Sequence, residues 1–142
     1  MFRNSLRIAA IVLVVAGFST WHPLVRPLVA QQPAPPAVKR TVLNQQDLTS
    51  MPGYAAALVA VELPVGAREG RHMHPGTLIA QVQQGTLTLD YEGKPTVDYK
   101  VGDTFFVEPG KTHEGMNKGS VPVKLIAAFV FPKDKAMTIP VP

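Results

Sequence analysis

From Lys39 onward the chain shows no apolar spacing of three and four, as an amphipathic helix would require. It carries short runs of period two or of β-rich composition, separated by Gly and Pro. Those runs predict strands over residues 41–43, 55–63, 71–74, 78–83, 86–91, 96–100, 104–107, 113–116 and 123–131. Thr86-Leu87-Thr88-Leu89-Asp90-Tyr91 alternates strictly, which puts Leu87, Leu89 and Tyr91 on one face. Many short strands at regular spacing predict an all-β barrel or double-sheet jelly roll, in which closure or stacking limits exposed edges.

The first thirty residues read differently. Arg3 and Arg7 precede an unbroken apolar run from Ile8 to Phe18, then polar Ser19 and Thr20, and later the small residue Ala30. The run is about half the ~20 residues needed to span a hydrocarbon core, and His22-Pro23 interrupts any extension. Residues 1–30 are therefore expected to be a signal peptide or, if uncleaved, an N-terminal anchor and the chain's sole membrane attachment. Residues 31–38, with Pro33, Pro35 and Pro36, read as a Pro-rich linker, because proline offers a sheet no backbone donor. Residues 39–142 form the folded domain, expected to be periplasmic or secreted.

Charge and composition narrow the chemistry. The 142 residues suffice for one domain, and the absence of Cys removes disulfides, thiolate metal sites and a cysteine nucleophile. The net charge of +4 is concentrated in the leader: with Arg3, Arg7 and Arg26 set aside from the 14 Lys+Arg, 11 face 10 Asp+Glu. No basic field for phosphate backbones remains, so no nucleic-acid partner is expected.

Three histidines lie outside the leader. His72 and His74 are two residues apart in a strand-like run and so share a side, and His113 follows about forty residues later, after Pro109-Gly110. A His-x-His pair by itself reads as ordinary polar residues of a barrel wall. A third imidazole from a neighbouring strand would complete a facial set for a divalent ion, with Mn, Fe, Ni, Cu and Zn all compatible.

The punctuation around these histidines resembles a known family. Gly66, a five-residue gap, His72-x-His74 and then Gly85 resembles the first cupin motif, and Gly102-Asp103 through Pro109-Gly110-x-x-His113-x-x-x-Asn117 resembles the second. Residues 86–101 between them hold one hairpin. The resemblance implies a small double-stranded β-helix or jelly-roll barrel with a metal at its centre, held here by His72, His74 and His113. It also implies a small-molecule ligand or substrate and a homodimer.

This sequence departs from the family pattern in two places. The glutamate that the family usually places seven residues before the closing glycine is Leu78, and Glu108 precedes Pro109-Gly110 where the pattern has its proline one place earlier. With Leu78 inward, Ala80 and Val82 share its side while Gln81 and Gln83 point away. Glu69 and Glu114 read as surface charges. Asn117 either tightens a strand end or hydrogen-bonds near the metal. One of Phe105 and Phe106 should face inward, Met116, Phe129 and Phe131 read as core, and residues 133–135 as a solvated turn.

Three neutral imidazoles leave a bound ion its full +2, where a carboxylate would lower the local charge to about +1. Weaker binding, higher Lewis acidity and an open coordination position follow. An oxygenase- or isomerase-class enzyme, a non-catalytic ligand- or metal-binding module, and a barrel that has lost its metal all remain consistent with these residues.

Overall fold

A computed structural model describes residues 36–142; the expected leader and most of the expected linker lie outside the described residues. Ten strands run in chain order: β1 (Lys39–Asp47), β2 (Tyr54–Leu63), β3 (His72–Met73), β4 (Thr77–Gln84), β5 (Thr86–Tyr91), β6 (Lys94–Lys100), β7 (Thr104–Val107), β8 (His113–Met116), β9 (Val123–Pro132) and β10 (Ile139–Pro140). They form two five-stranded sheets, ordered β1-β2-β9-β4-β7 and β10-β3-β8-β5-β6, and every pairing is antiparallel. The domain is the all-β jelly roll that the strand-and-turn rhythm predicted.

The core follows from alternation. In β2, Ala55, Ala57, Val59, Val61 and Leu63 are buried, and in β9 Val123, Leu125, Ala127, Phe129 and Phe131 are buried. Leu78, Ala80 and Val82 of β4 join them, with Leu87, Leu89 and Tyr91 of β5. Burying a side chain of Val, Leu or Phe size is worth about 1.5–3 kcal/mol, so the inward rows hold the two sheets together. Phe105 turns in and Phe106 out, at 8% and 48% exposed, as adjacent strand residues must.

Three strands, β1, β3 and β10, differ most from expectation, while β2, β4, β6 and β9 shift by one or two residues at an end. β1 extends two residues before 41–43 and four after it, because Lys39 and Arg40 and polar Asn44, Gln45, Gln46 and Asp47 pair with β2 through backbone groups while their side chains stay exposed. All nine residues of β1 are exposed, so no apolar alternation marks the strand, and a register shift falls between Val42 and Asn44. β3 shrinks to two residues. β10 was not read at all: Ile139 and Pro140 pair with Met73 and His72, and so short an edge tolerates proline.

Candidate metal centre

The three histidines come from two neighbouring strands and the loop that follows one of them. His72 of β3 lies directly opposite His113 of β8. His74 comes just after β3, and the turn behind it explains why Pro75 is followed by glycine. A Cβ on Gly76 would run into the backbone of Val130, and would stand 2.6 Å from the Cα of Phe131, so only glycine lets this segment lie against β9. The turn of the second motif is tied to the same place. Gly110, at φ +74°, donates its N–H to the His74 carbonyl at 2.8 Å.

The ring centroids of the three imidazoles are 4.3, 4.9 and 5.0 Å apart, and one potential ligand atom from each lies within 4.8 Å of the other two. All three residues are buried. Each ring is oriented by a backbone carbonyl: Nδ1 of His72 on Gly70 O (2.7 Å), of His74 on Met137 O (2.7 Å) and of His113 on Lys111 O (3.0 Å). A carbonyl only accepts, so each Nδ1 carries the proton and each Nε2 keeps its lone pair. This pattern of a ring N–H held by a carbonyl is the one that prepares metal-ligating imidazoles.

Protonation works in the same direction. Burial pushes His74 down to about 4 against the opposing hydrogen bond to Met137, with His113, His72 and Arg40 lowering it further. Burial likewise pushes His113 down to about 4, opposed by its bond to Lys111 and aided by His72. Both rings are neutral at pH 7, as ligation requires. Three buried, convergent imidazoles with fixed tautomers fit a divalent cation.

These rings border a cavity of about 50 Å³ whose wall is mostly apolar, including Val59, Leu78, Leu89, Phe105 and Phe129. Leu78, at the position where the cupin pattern places a glutamate, is inward and buried. Gln81 and Gln83 point outward, Gln81 onto the Gly102 carbonyl and Gln83 onto Gln81, so neither replaces the missing ligand. Asn117 is a structural staple: its Nδ2 donates to the carbonyls of Leu63 and Val121, and its Oδ1 accepts from Gly119 N–H. Phe129 meets His74 edge-on at 5.1 Å, while Met116 and Phe131 are buried in packing away from the cavity wall. Residues 133–135 form the expected turn, with Lys133 bonded to Asp47.

Two expected surface charges are not on the surface. Glu114 is 5% exposed, capped by Arg68 through Nε (2.9 Å) and Nη2, and this guanidinium holds its carboxyl below the usual range. The reason is the run of residues 66–69 along β8, bonded through Glu69 N–H to Gly115 O and Asn117 N–H to Ala67 O, which brings Arg68 over Glu114. Glu69 lies on the cavity wall, its side chain 12% exposed and its Oε1 accepting from Arg40 Nη2 at 2.8 Å. Gly115 makes room for that carboxylate, because a Cβ there would collide with Glu69 Oε2. Arg40, Glu69, Met137 and Thr138 line the site without any sequence signal that marks them.

Another unread contact supports His113. Tyr91 stacks on its ring at 6.2 Å and donates its hydroxyl to Glu108 Oε2 at 2.8 Å, which gives the displaced residue before Pro109 a role.

Two stacked antiparallel sheets enclosing a three-imidazole cluster define a small β-barrel with a candidate metal site. The chain belongs to the cupin family, whose Cupin domain model matches residues 59–129, half of the chain. A search of curated proteins finds no match. Among solved structures, a conserved protein with a double-stranded β-helix domain from Klebsiella pneumoniae is 20% identical at a TM-score of 0.60, over 78% of this chain and 90% of that one. The DMSP lyase DddQ from Ruegeria pomeroyi is 22% identical at a TM-score of 0.56, over 61% of this chain and 43% of that one. An oxalate oxidase is 21% identical at a TM-score of 0.60, over 77% and 57%. This chain thus spans about half the length of those two enzymes, and the likeness shows a shared fold.

Proposed function

We propose that this protein is an exported cupin that binds one divalent metal ion through Nε2 of His72, His74 and His113 and acts on a small organic molecule. The observation that carries the reading is the set of three Nδ1–H to carbonyl bonds, which leaves three lone pairs converging in one buried place. A divalent ion held by these residues would supply Lewis acidity or redox chemistry. The chain's own residues supply the rest. His74 and His113 stay neutral through burial, the apolar wall keeps bulk water out, and Arg40 with Glu69 supplies the cavity's charged groups.

The reaction we assign is of the oxygenase or isomerase class. Fold relatives that are a DMSP lyase and an oxalate oxidase support small-molecule chemistry on this scaffold. A periplasmic or secreted location rests on Arg3, Arg7 and the apolar run Ile8 to Phe18, and a homodimer on the family resemblance and on exposed Leu58, Ile79 and Phe106.

Elemental analysis of the full chain, purified without chelator or polyhistidine tag, tests the assignment. One equivalent of metal, lost in His72→Ala and His113→Ala, is expected. A parent that takes up none of Mn, Fe, Ni, Cu or Zn overturns it.

A further inference from the structure

The cavity is apolar apart from the imidazoles, Thr138 and one charged pair. Arg40 and Glu69 are its only charged lining residues among those described, contributed by β1 and by the segment before β3. Among the described residues the Arg40 side chain donates one hydrogen bond, from Nη2 to Glu69 Oε1. A guanidinium has five N–H donors in a rigid fork, so Glu69 fixes its position while most of the fork stays free. Arg40 lines the same cavity as the three imidazoles. The same pair also borders a wider outer groove of about 470 Å³, shared with His72 and Thr138, so Arg40 stands where the cavity opens outward.

Charge balance then specifies what enters. No carboxylate belongs to the three-imidazole cluster, because Leu78 stands in the usual place and Glu69 is committed to Arg40. A divalent ion there keeps its whole charge inside apolar walls, where a neutral ligand leaves it uncompensated. Size matters as well: a cavity of about 50 Å³ admits only a small molecule.

We propose that the site takes a short-chain carboxylate, with Arg40 as the residue that binds and orients its anionic group and Glu69 as the residue that positions Arg40. The proposal rests on the metal-binding reading above. A carboxylate matches the guanidinium fork through two parallel N–H to oxygen bonds, and acetate is smaller and less charged than phosphate, which suits a narrow apolar cavity.

Calorimetric titration of the metal-loaded full chain with acetate, acetamide and inorganic phosphate tests this, with metal content measured on the same samples. Acetate is expected to bind at least about tenfold tighter than acetamide, its neutral isostere, and tighter than phosphate. Arg40→Gln is expected to weaken acetate about tenfold at unchanged metal content, and Arg40→Lys, which keeps the charge but not the fork, about threefold. Should Arg40→Gln not fold, the Lys variant carries the test. Equal binding of acetate and acetamide, phosphate binding tighter than acetate, or undiminished acetate binding in the Arg40 variants overturns the carboxylate proposal while leaving the metal reading intact. A chain that holds no metal overturns both.

Discussion

His72 faces His113 across the β3–β8 pair, with ring centroids 4.3 Å apart, so the first and second motifs meet at one backbone register. At the proposed three-imidazole site, removing either imidazole would leave an ion two protein ligands. His72→Ala and His113→Ala should each retain less than about a tenth of the parent's metal after dialysis, while far-ultraviolet dichroism stays that of a β protein. Metal retained at the parental level in both would place the ion elsewhere.

The register that pairs those histidines was readable in part. Spacing alone put His72 and His74 on one side, and alternation turned Leu78 inward and both glutamines outward, because period two is a local property of a strand. Arg40, Glu69 and the Met137 carbonyl were not readable. They reach the site from β1, from a loop and from the C-terminal segment, 63 residues after His74 in the case of Met137. Glu114 was misread as exposed because the residue that covers it, Arg68, is 46 positions away.

Glu114 and Arg68 make a prediction whose sign depends on pH. The Glu114 carboxyl lies below its usual value in the folded state, chiefly through the hydrogen bond to Arg68, so its contribution is present above the unfolded carboxylate pKa and is lost as pH falls. Arg68→Ala strands a buried carboxylate. The stability gap between parent and variant, read from urea midpoints, should be wide at pH 7 and narrow as pH falls below the ordinary carboxylate value of 4.5. A gap that is constant with pH would mean that Arg68 acts by packing alone.

His74 and His113 give the second pH dependence, in the metal-free protein. Both are pushed down to about 4 in the fold, chiefly by burial, whereas an unfolded imidazole titrates near 6.5. Between those values the unfolded chain binds more protons, so stability falls as pH drops from about 6.5 to about 4 and levels off below. Replacing both residues by Asn should remove up to two protons from the slope of stability against pH in that window. An unchanged slope would show that neither ring is held neutral.

Tyr91 tests whether His113 needs its support. Tyr91→Phe keeps the ring on the imidazole but removes the hydroxyl that Glu108 Oε2 accepts from at 2.8 Å. Glu108 sits beside the turn at Gly110, which in turn holds His74, so the loss should reach the metal through both histidines. Metal affinity should drop about 10-fold, the lower end of what outer-shell partners are worth. Competition with a chromophoric chelator reads this directly, and equal affinity would confine Tyr91 to packing.

Leu78 offers the sharpest reversal, since one substitution should strengthen the site and weaken the empty fold. Its side chain is 5% exposed on the same cavity wall as the three imidazoles, so Leu78→Glu places a carboxylate in apolar surroundings. Without metal that group lacks a partner, and the variant should lose about 1–3 kcal/mol of stability or keep the carboxyl protonated at neutral pH. With metal the carboxylate lowers the net charge of the centre and adds a ligand, so affinity should rise at least about tenfold. The added ligand also fills a position otherwise open to a small anion, and the acetate affinity of the loaded protein should fall in the same variant. Chelator competition, thermal unfolding with and without metal, and acetate calorimetry read the three effects separately. A variant whose metal affinity matches the parent would show that residue 78 does not reach the ion, and that the missing carboxylate is not what sets the chemistry of this centre.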